Sequence, residues 1–114
     1  MERLTTDFEN EFDTLQADIH ELAKSKGWYD MERHDAEMIA LMHSELSEAL
    51  EAMRNGNPPD DKIPDYSGVE AELADVVIRI MDFAEYKGYD VSGAIIKKHE
   101  MNKTRSIRHG GKKF

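Results

Sequence analysis

Two carboxylate doublets define the chemistry this chain can offer. Glu45 and Glu48 lie in Leu41-Met42-His43-Ser44-Glu45-Leu46-Ser47-Glu48, and Glu72 and Asp75 in Glu70-Ala71-Glu72-Leu73-Ala74-Asp75. Each doublet has i, i+3 spacing, which on a helix brings both side chains to neighbouring turns of one stripe. At roughly 100° per residue, Glu45 falls among Met38, Leu41, Ala49 and Ala52, and Glu72 falls beside Val76 and Phe83. Both acids therefore border apolar arcs. An inward-turned carboxylate is costly unless it meets a cation or hydrogen-bond donors, and two doublets facing each other ask for a metal. The chain has no cysteine, and no histidine stands at ligand spacing, so the donors are oxygen only. Such a set favours Mg2+, with Mn2+ as an alternative, over Zn2+. A di-iron bundle would need Glu-x-x-His, yet none of the five histidines has an acidic residue three positions earlier. EF-hand, P-loop and Rossmann patterns are also absent.

The elements that must position these acids read as four helices. The first is predicted from Thr6, since Thr6-Asp7-Phe8-Glu9 has the capping-box form. Phe8, Phe12, Leu15, Ile19 and Leu22 then mark its core face, and Gly27 stops it. Trp28 and Tyr29 follow at once, either to pack on the helix end or to stack a flat ligand. A second helix is predicted from Asp35, as N-cap, to Arg54, where Asn55-Gly56-Asn57-Pro58-Pro59 ends it. Its apolar stripe is Met38, Leu41, Met42, Ala49, Ala52 and Met53, widened by Ile39, Leu46 and Leu50, while Glu51 falls nearer solvent.

Residues 55 to 68 form a loop longer than the ~2–8 residues usual between packed helices. Glu45 stands roughly 13 Å from the end of its helix and Glu72 only ~4 Å into the next, at ~1.5 Å per residue. The loop must climb back to bring the doublets level. A third helix is predicted over Val69 to Lys87, closed by Gly88, with Val69, Leu73, Val76, Val77, Ile80, Phe83 and Ala84 as its core face. Ile78 and Met81 extend its apolar character round the back, a surplus that a homodimer or homotetramer would cover. Glu72, Asp75, Arg79, Asp82 and Tyr86 form a polar edge with one cation in it. The fourth helix should start near Asp90 or Ser92 and turn Ala94, Ile95 and Met101 inward. Lys98, Asn102 and Arg105 then stand at i, i+4 and i+7 as a row of donors, followed by a basic tail over 106–114 that includes Lys112.

At 114 residues, 39% apolar and 34% charged, the chain reads as one all-α domain spanning 1–114. The net charge of -9 is uneven: residues 97–114 hold seven Lys or Arg against one Glu, leaving eight against 23 in residues 1–96. An acidic body with a basic tail does not present the continuous basic face of a nucleic-acid binder. No leader peptide and no run of 18 apolar residues is found, so neither membrane insertion nor export is expected and a cytoplasmic protein is. A metal site flanked by donors suits a polyphosphate, whose oxygens the metal bridges while Lys, Asn and Arg meet the rest.

At this point the chain resembles the MazG-like, all-α nucleoside triphosphate pyrophosphohydrolases, whose signature is an ExxE helix, a spacer, then an ExxD helix. The matching residues are Glu45-Leu46-Ser47-Glu48 and Glu72-Leu73-Ala74-Asp75. Gly27-Trp28, the stretch from Glu45 to Arg54, Val76-Val77-Ile78-Arg79 and Lys98-x-x-x-Asn102-x-x-Arg105-x-x-x-His109-Gly110-Gly111-Lys112 extend the likeness over nearly the whole chain. The resemblance implies an oligomeric four-helix bundle that hydrolyses (deoxy)nucleoside triphosphates to monophosphate and pyrophosphate. It places Mg2+ on Glu45, Glu48, Glu72 and Asp75, and gives phosphate handling to Lys98, Asn102, Arg105 and the tail with Lys112. Arg79 and Trp28 are further candidates for substrate contact. Many members carry EExxE, whereas Ser44 stands here in place of the leading Glu; Glu48, with Glu45, is then the candidate for activating water. Two non-catalytic readings stay open: a nucleotide sensor, and an acidic helical protein that recruits a partner.

Overall fold

A computed structural model describes the backbone of residues 2–105 and the side chains of residues 7–105. It contains four helices: α1 (Glu2–Ser25), α2 (Asp35–Arg54), α3 (Gly68–Lys87) and α4 (Val91–Lys103). Among the described residues the sole β-type pairing is one isolated antiparallel bridge between Pro59 and Ser67. Helix α3 is central, packed against α2 on one side and α1 on another, and α4 packs on α1. Both the α2–α3 and the α1–α3 pairs are antiparallel, as cross-links at successive levels show. Lys87 Nζ meets Asp35 Oδ2 at 2.8 Å and Arg79 Nε meets Glu45 Oε1 at 2.9 Å. On the other side, Gln16 Nε2 donates to Glu85 Oε1 at 3.1 Å and His20 Nδ1 lies 2.8 Å from Asp82 Oδ1.

The helix ends follow local chemistry. Gly27 and Gly88 adopt left-handed φ values of 85° and 73°, which stop α1 and α3 without a Cβ clash. Helix α3 starts one residue earlier than the periodicity predicts, because Ser67 is an N-cap: its Oγ accepts from Glu70 N while Glu70 Oε1 accepts from Ser67 N. Asp90 caps α4 by accepting from Gly93 N at 3.0 Å. Two expected starts are corrected. Helix α1 runs through Thr6 from Glu2, since Glu2, Arg3 and Leu4 are good helix formers and nothing there breaks the turn. Asp35 is the first residue inside α2 rather than its cap, a place held by His34, and its carboxylate is spent on Lys87.

The interior is small and holds only part of the periodic stripes: Met38 and Ala49 of α2 and Val76 and Ala84 of α3 are buried as expected. Ala23, Met38, Ala49, Ala71, Val76, Met81 and Ala84 are its buried apolar residues. Met81, expected on the back of α3, is buried, on a helix packed by both α1 and α2; Leu73 and Val77, expected in the core, are 46% and 47% exposed. Phe8, Leu15 and Leu22 of α1, Ile39, Leu46, Leu50 and Met53 of α2, and Ile95 and Met101 of α4 are likewise exposed. Ala94 is also exposed, and Ser92 is the buried residue of α4, donating to Asp13 Oδ1 at 2.8 Å.

The outward residues are not scattered. On α2, residues 39, 46, 50 and 53 sit one step, about 100°, past the inward stripe of 38, 45, 49 and 52, which is buried or half-buried. On α3, residues 73 and 77 sit one step past 72 and 76. In an antiparallel pair those steps turn to the same side. The α2–α3 hairpin thus has one continuous apolar face that the described residues leave uncovered.

Candidate metal centre

The loop between α2 and α3 decides whether the two doublets meet. Its backbone folds back by local bonds: Asn57 N donates to Ala52 O at 2.7 Å, and Gly68 N donates to Pro58 O at 2.7 Å. The Asn57 side chain accepts from Val69 N at 2.9 Å and its φ of 52° turns the chain. Gly68 permits the close approach: a Cβ there would lie 3.1 Å from Ala52 Cβ and 3.3 Å from Pro58 O. The start of α3 is thereby held against the end of α2, which sets Glu72 beside Glu45.

Oxygens of Glu45, Glu72 and Asp75 lie within 4.8 Å of one another. Glu45 and Glu72 are half-buried, while Asp75 keeps one flank in water. Burial raises the Glu72 carboxyl above its ordinary range, helped by a hydrogen bond with Glu45 and by the charges of Asp75, Glu45 and Glu48. A hydrogen bond between two carboxylates needs one shared proton. Asp75 is raised as well, first by burial and then by the charge of Glu45, with Asp60 adding to it and Arg79 and Lys62 opposing. These groups resist carrying their charge together, which is the electrostatic condition a cation relieves. The donor set fits a hard cation such as Mg2+: it is all carboxylate and convergent, with one side left for water or substrate oxygens.

The fourth expected ligand stands apart. Glu48 is exposed and is not among the three whose oxygens converge. It lines a neighbouring cavity of about 220 Å³ with Glu51, Asp60, Asp61 and Glu72. One helical turn beyond Glu45, it adds its charge to the group from the rim. Ser44 Oγ donates to Leu41 O at 2.7 Å, so the residue in place of a leading acid is turned back onto its own helix.

Arg79 stands inside the centre. Its Nε donates to Glu45, and its guanidinium lies 5.9 Å from the Trp28 ring centroid. Trp28 is exposed at 45% rather than packed into the end of α1. Tyr29 is the member of the pair that packs, against His20 and Tyr86, donating to Asp82 Oδ2 at 2.6 Å. Asp82, expected along the polar edge of α3, is instead 4% exposed and bonded to both Tyr29 and His20. Burial, then the bond to Asp82, pushes the Tyr29 hydroxyl well above its ordinary range.

The expected row of donors is not brought to the carboxylates. Lys98, Asn102 and Arg105 are exposed at the end of the chain's described part, and α4 packs on α1 rather than on α2 or α3. Lys98 and Asn102 border a separate cavity of about 380 Å³ with Val91, Ala94, Ile95 and His99. Lys112 lies outside the described residues. Residues that spacing did not single out are the loop's Asp60, Asp61 and Lys62, which adjoin Glu72 and Asp75. The length of the loop and its run of acids were their signal.

Comparison of the chain with protein-family models, curated proteins and solved structures finds no match.

Proposed function

We propose that this chain is a Mg2+-dependent nucleoside triphosphate pyrophosphohydrolase. The observation behind this reading is the convergence of Glu45, Glu72 and Asp75 from two antiparallel helices onto one point, with two of the three resisting ionisation. The motif resemblance supplies the reaction. Water oxygen joins the α phosphorus, the α–β bridging bond breaks, and monophosphate and pyrophosphate leave.

Glu45, Glu72 and Asp75 would hold the ion, with Glu48 reaching in from the rim. Bound there, Mg2+ acts as a Lewis acid toward phosphate oxygens and lowers the pKa of water. The chain's own groups do the rest. Glu48, exposed and without a protein partner among the described residues, accepts the proton of the attacking water at its carboxylate. Arg79 spends one N–H on Glu45 and keeps others for the charge that develops on phosphate. The donors Lys98, Asn102 and Arg105 reach the site from a second copy, in a cytoplasmic homodimer or homotetramer that covers the apolar α2–α3 face.

The test is pyrophosphate release from a panel of ribo- and deoxyribonucleoside triphosphates, with and without Mg2+. Wild type should release it only with the metal, and Glu72→Gln should lose at least about 100-fold while keeping its helical circular dichroism. Unimpaired release by that variant would refute the site. The turned-back Ser44 hydroxyl favours one other reading, a nucleotide sensor that binds with metal and does not turn over. Metal-dependent binding by calorimetry with no pyrophosphate would select it.

A further inference from the structure

Beside the carboxylate centre lies a cavity of about 450 Å³ between the loop and the first half of α3. That size falls within the ~300–1,000 Å³ usual for small-molecule sites. Ile63, Ala74 and Ile78 give it an apolar lining, and it shares Glu72 and Asp75 with the centre. A nucleotide with its phosphates at the centre would have its base within reach of this lining.

The loop side is a built turn. Asp60 Oδ2 accepts from Lys62 N at 2.9 Å and from Ile63 N at 3.0 Å, and Asp60 N donates to Tyr66 O at 2.9 Å. Asp60 is consumed in making this turn. It leaves Asp61 and Lys62 lining the cavity, with no side-chain hydrogen bond or ion pair among the described residues.

We propose that this cavity is the base subsite and that it selects guanine, through Asp61 and Lys62. This deepens the proposed hydrolysis and rests on it for the placement of the phosphates. A carboxylate offers acceptors only, and guanine presents two adjacent donors, N1–H and the N2 amine, which pair with one carboxylate in parallel. The O6 and N7 acceptors of guanine suit a lysine ammonium. Adenine and cytosine set an amine beside a ring acceptor, whose lone pair would face the carboxylate. Uracil and thymine flank one N–H with two carbonyls. Guanine alone gives the carboxylate two donors side by side and still leaves two acceptors for the ammonium; every other base offers the carboxylate one donor at most.

The experiment pairs turnover with binding. With Mg2+, kcat/KM for pyrophosphate release is measured for GTP, ITP, ATP, CTP and UTP; without metal, binding of GMP and AMP is measured by calorimetry. The expected order is GTP, then ITP, which lacks the N2 amine, then the others, with GTP ahead of ATP by at least about tenfold. Asp61→Ala, on an exposed turn, should collapse the GTP to ATP ratio. Equal kcat/KM for all five nucleotides, or a ratio that Asp61→Ala leaves intact, would overturn the subsite and leave hydrolysis standing. If no nucleotide releases pyrophosphate, GMP binding that exceeds AMP binding and is lost in Asp61→Ala supports the subsite while hydrolysis fails. Neither turnover nor selective GMP binding overturns both.

Discussion

Glu72 carries the sharpest expectation at the scale of single residues. Its carboxyl is raised, chiefly by burial and by the bond to Glu45, so the folded state binds a proton that the unfolded chain has already released. For a raised acid the cost of folding in charged form grows with pH. The contribution of this one group to stability is therefore fullest below about pH 4, where carboxylates ordinarily titrate, and falls as pH rises through the raised value. Without metal, Glu72→Gln should melt a few degrees above wild type at pH 8, and the difference should vanish on acidification toward pH 4. Millimolar Mg2+ should raise the wild-type melting temperature and leave the variant almost unmoved. Equal responses in both proteins would mean that Glu72 holds no ion. Arg79 offsets part of the negative charge of the centre by pairing with Glu45 from within, a role its place in the polar edge foreshadowed but whose partner only the packing could name.

Among the elements, the α2–α3 loop controls the site. Gly68 lies where any side chain must push α3 from Ala52 and Pro58, and Glu72 is one turn further on. Gly68→Val should cost about 1–3 kcal/mol in urea unfolding and weaken Mg2+ binding beyond that of a surface control such as Glu9→Gln. Unaltered affinity in a destabilised Gly68→Val would uncouple the loop from the centre. This element also marks where sequence is informative. Gly27, Gly88 and the Asn55–Pro59 cluster end helices by backbone chemistry, so those boundaries can be read locally. Leu15, Leu22, Leu73 and Val77 share the helical period with buried residues yet lie outside. Period says which face is apolar, not which partner covers it. Asp82 shows the reverse: spacing groups it with the outer acids, and the arrival of Tyr29 and His20 turns it into a buried link. The doublets were legible because i, i+3 acids beside apolar neighbours are a local pattern. The positions of Asp61, Lys62 and α4 depend on how the loop and the last helix pack, which no spacing encodes.

For the whole molecule, the uncovered hairpin face and the distance of α4 from the centre ask for the same remedy. A second copy laid on Leu46, Leu50, Leu73 and Val77 would remove apolar surface from water, and its α4 could supply the donors the centre lacks. Glu72→Gln lacks the proposed ligand and keeps the row; Lys98→Ala has the opposite defect. Mixed after unfolding and refolding together, the two inactive proteins should form hybrids with a wild-type site, recovering about a quarter of full activity if pairing is random in a dimer. Sedimentation should show the oligomer for each. Activity that stays at the level of the separate variants would return the row to its own chain.

Trp28 is the chain's single tryptophan, and the guanidinium over its ring belongs to the side chain that Glu45 holds. Any event that draws Glu45 toward another cation loosens that hold and changes the field at the indole. The native protein thus contains an optical reporter at its own centre. Emission should shift on titration with Mg2+ in wild type, and Arg79→Lys, which alters the stacked partner, should change the amplitude of the shift. A spectrum indifferent to the metal would place the ion away from Glu45.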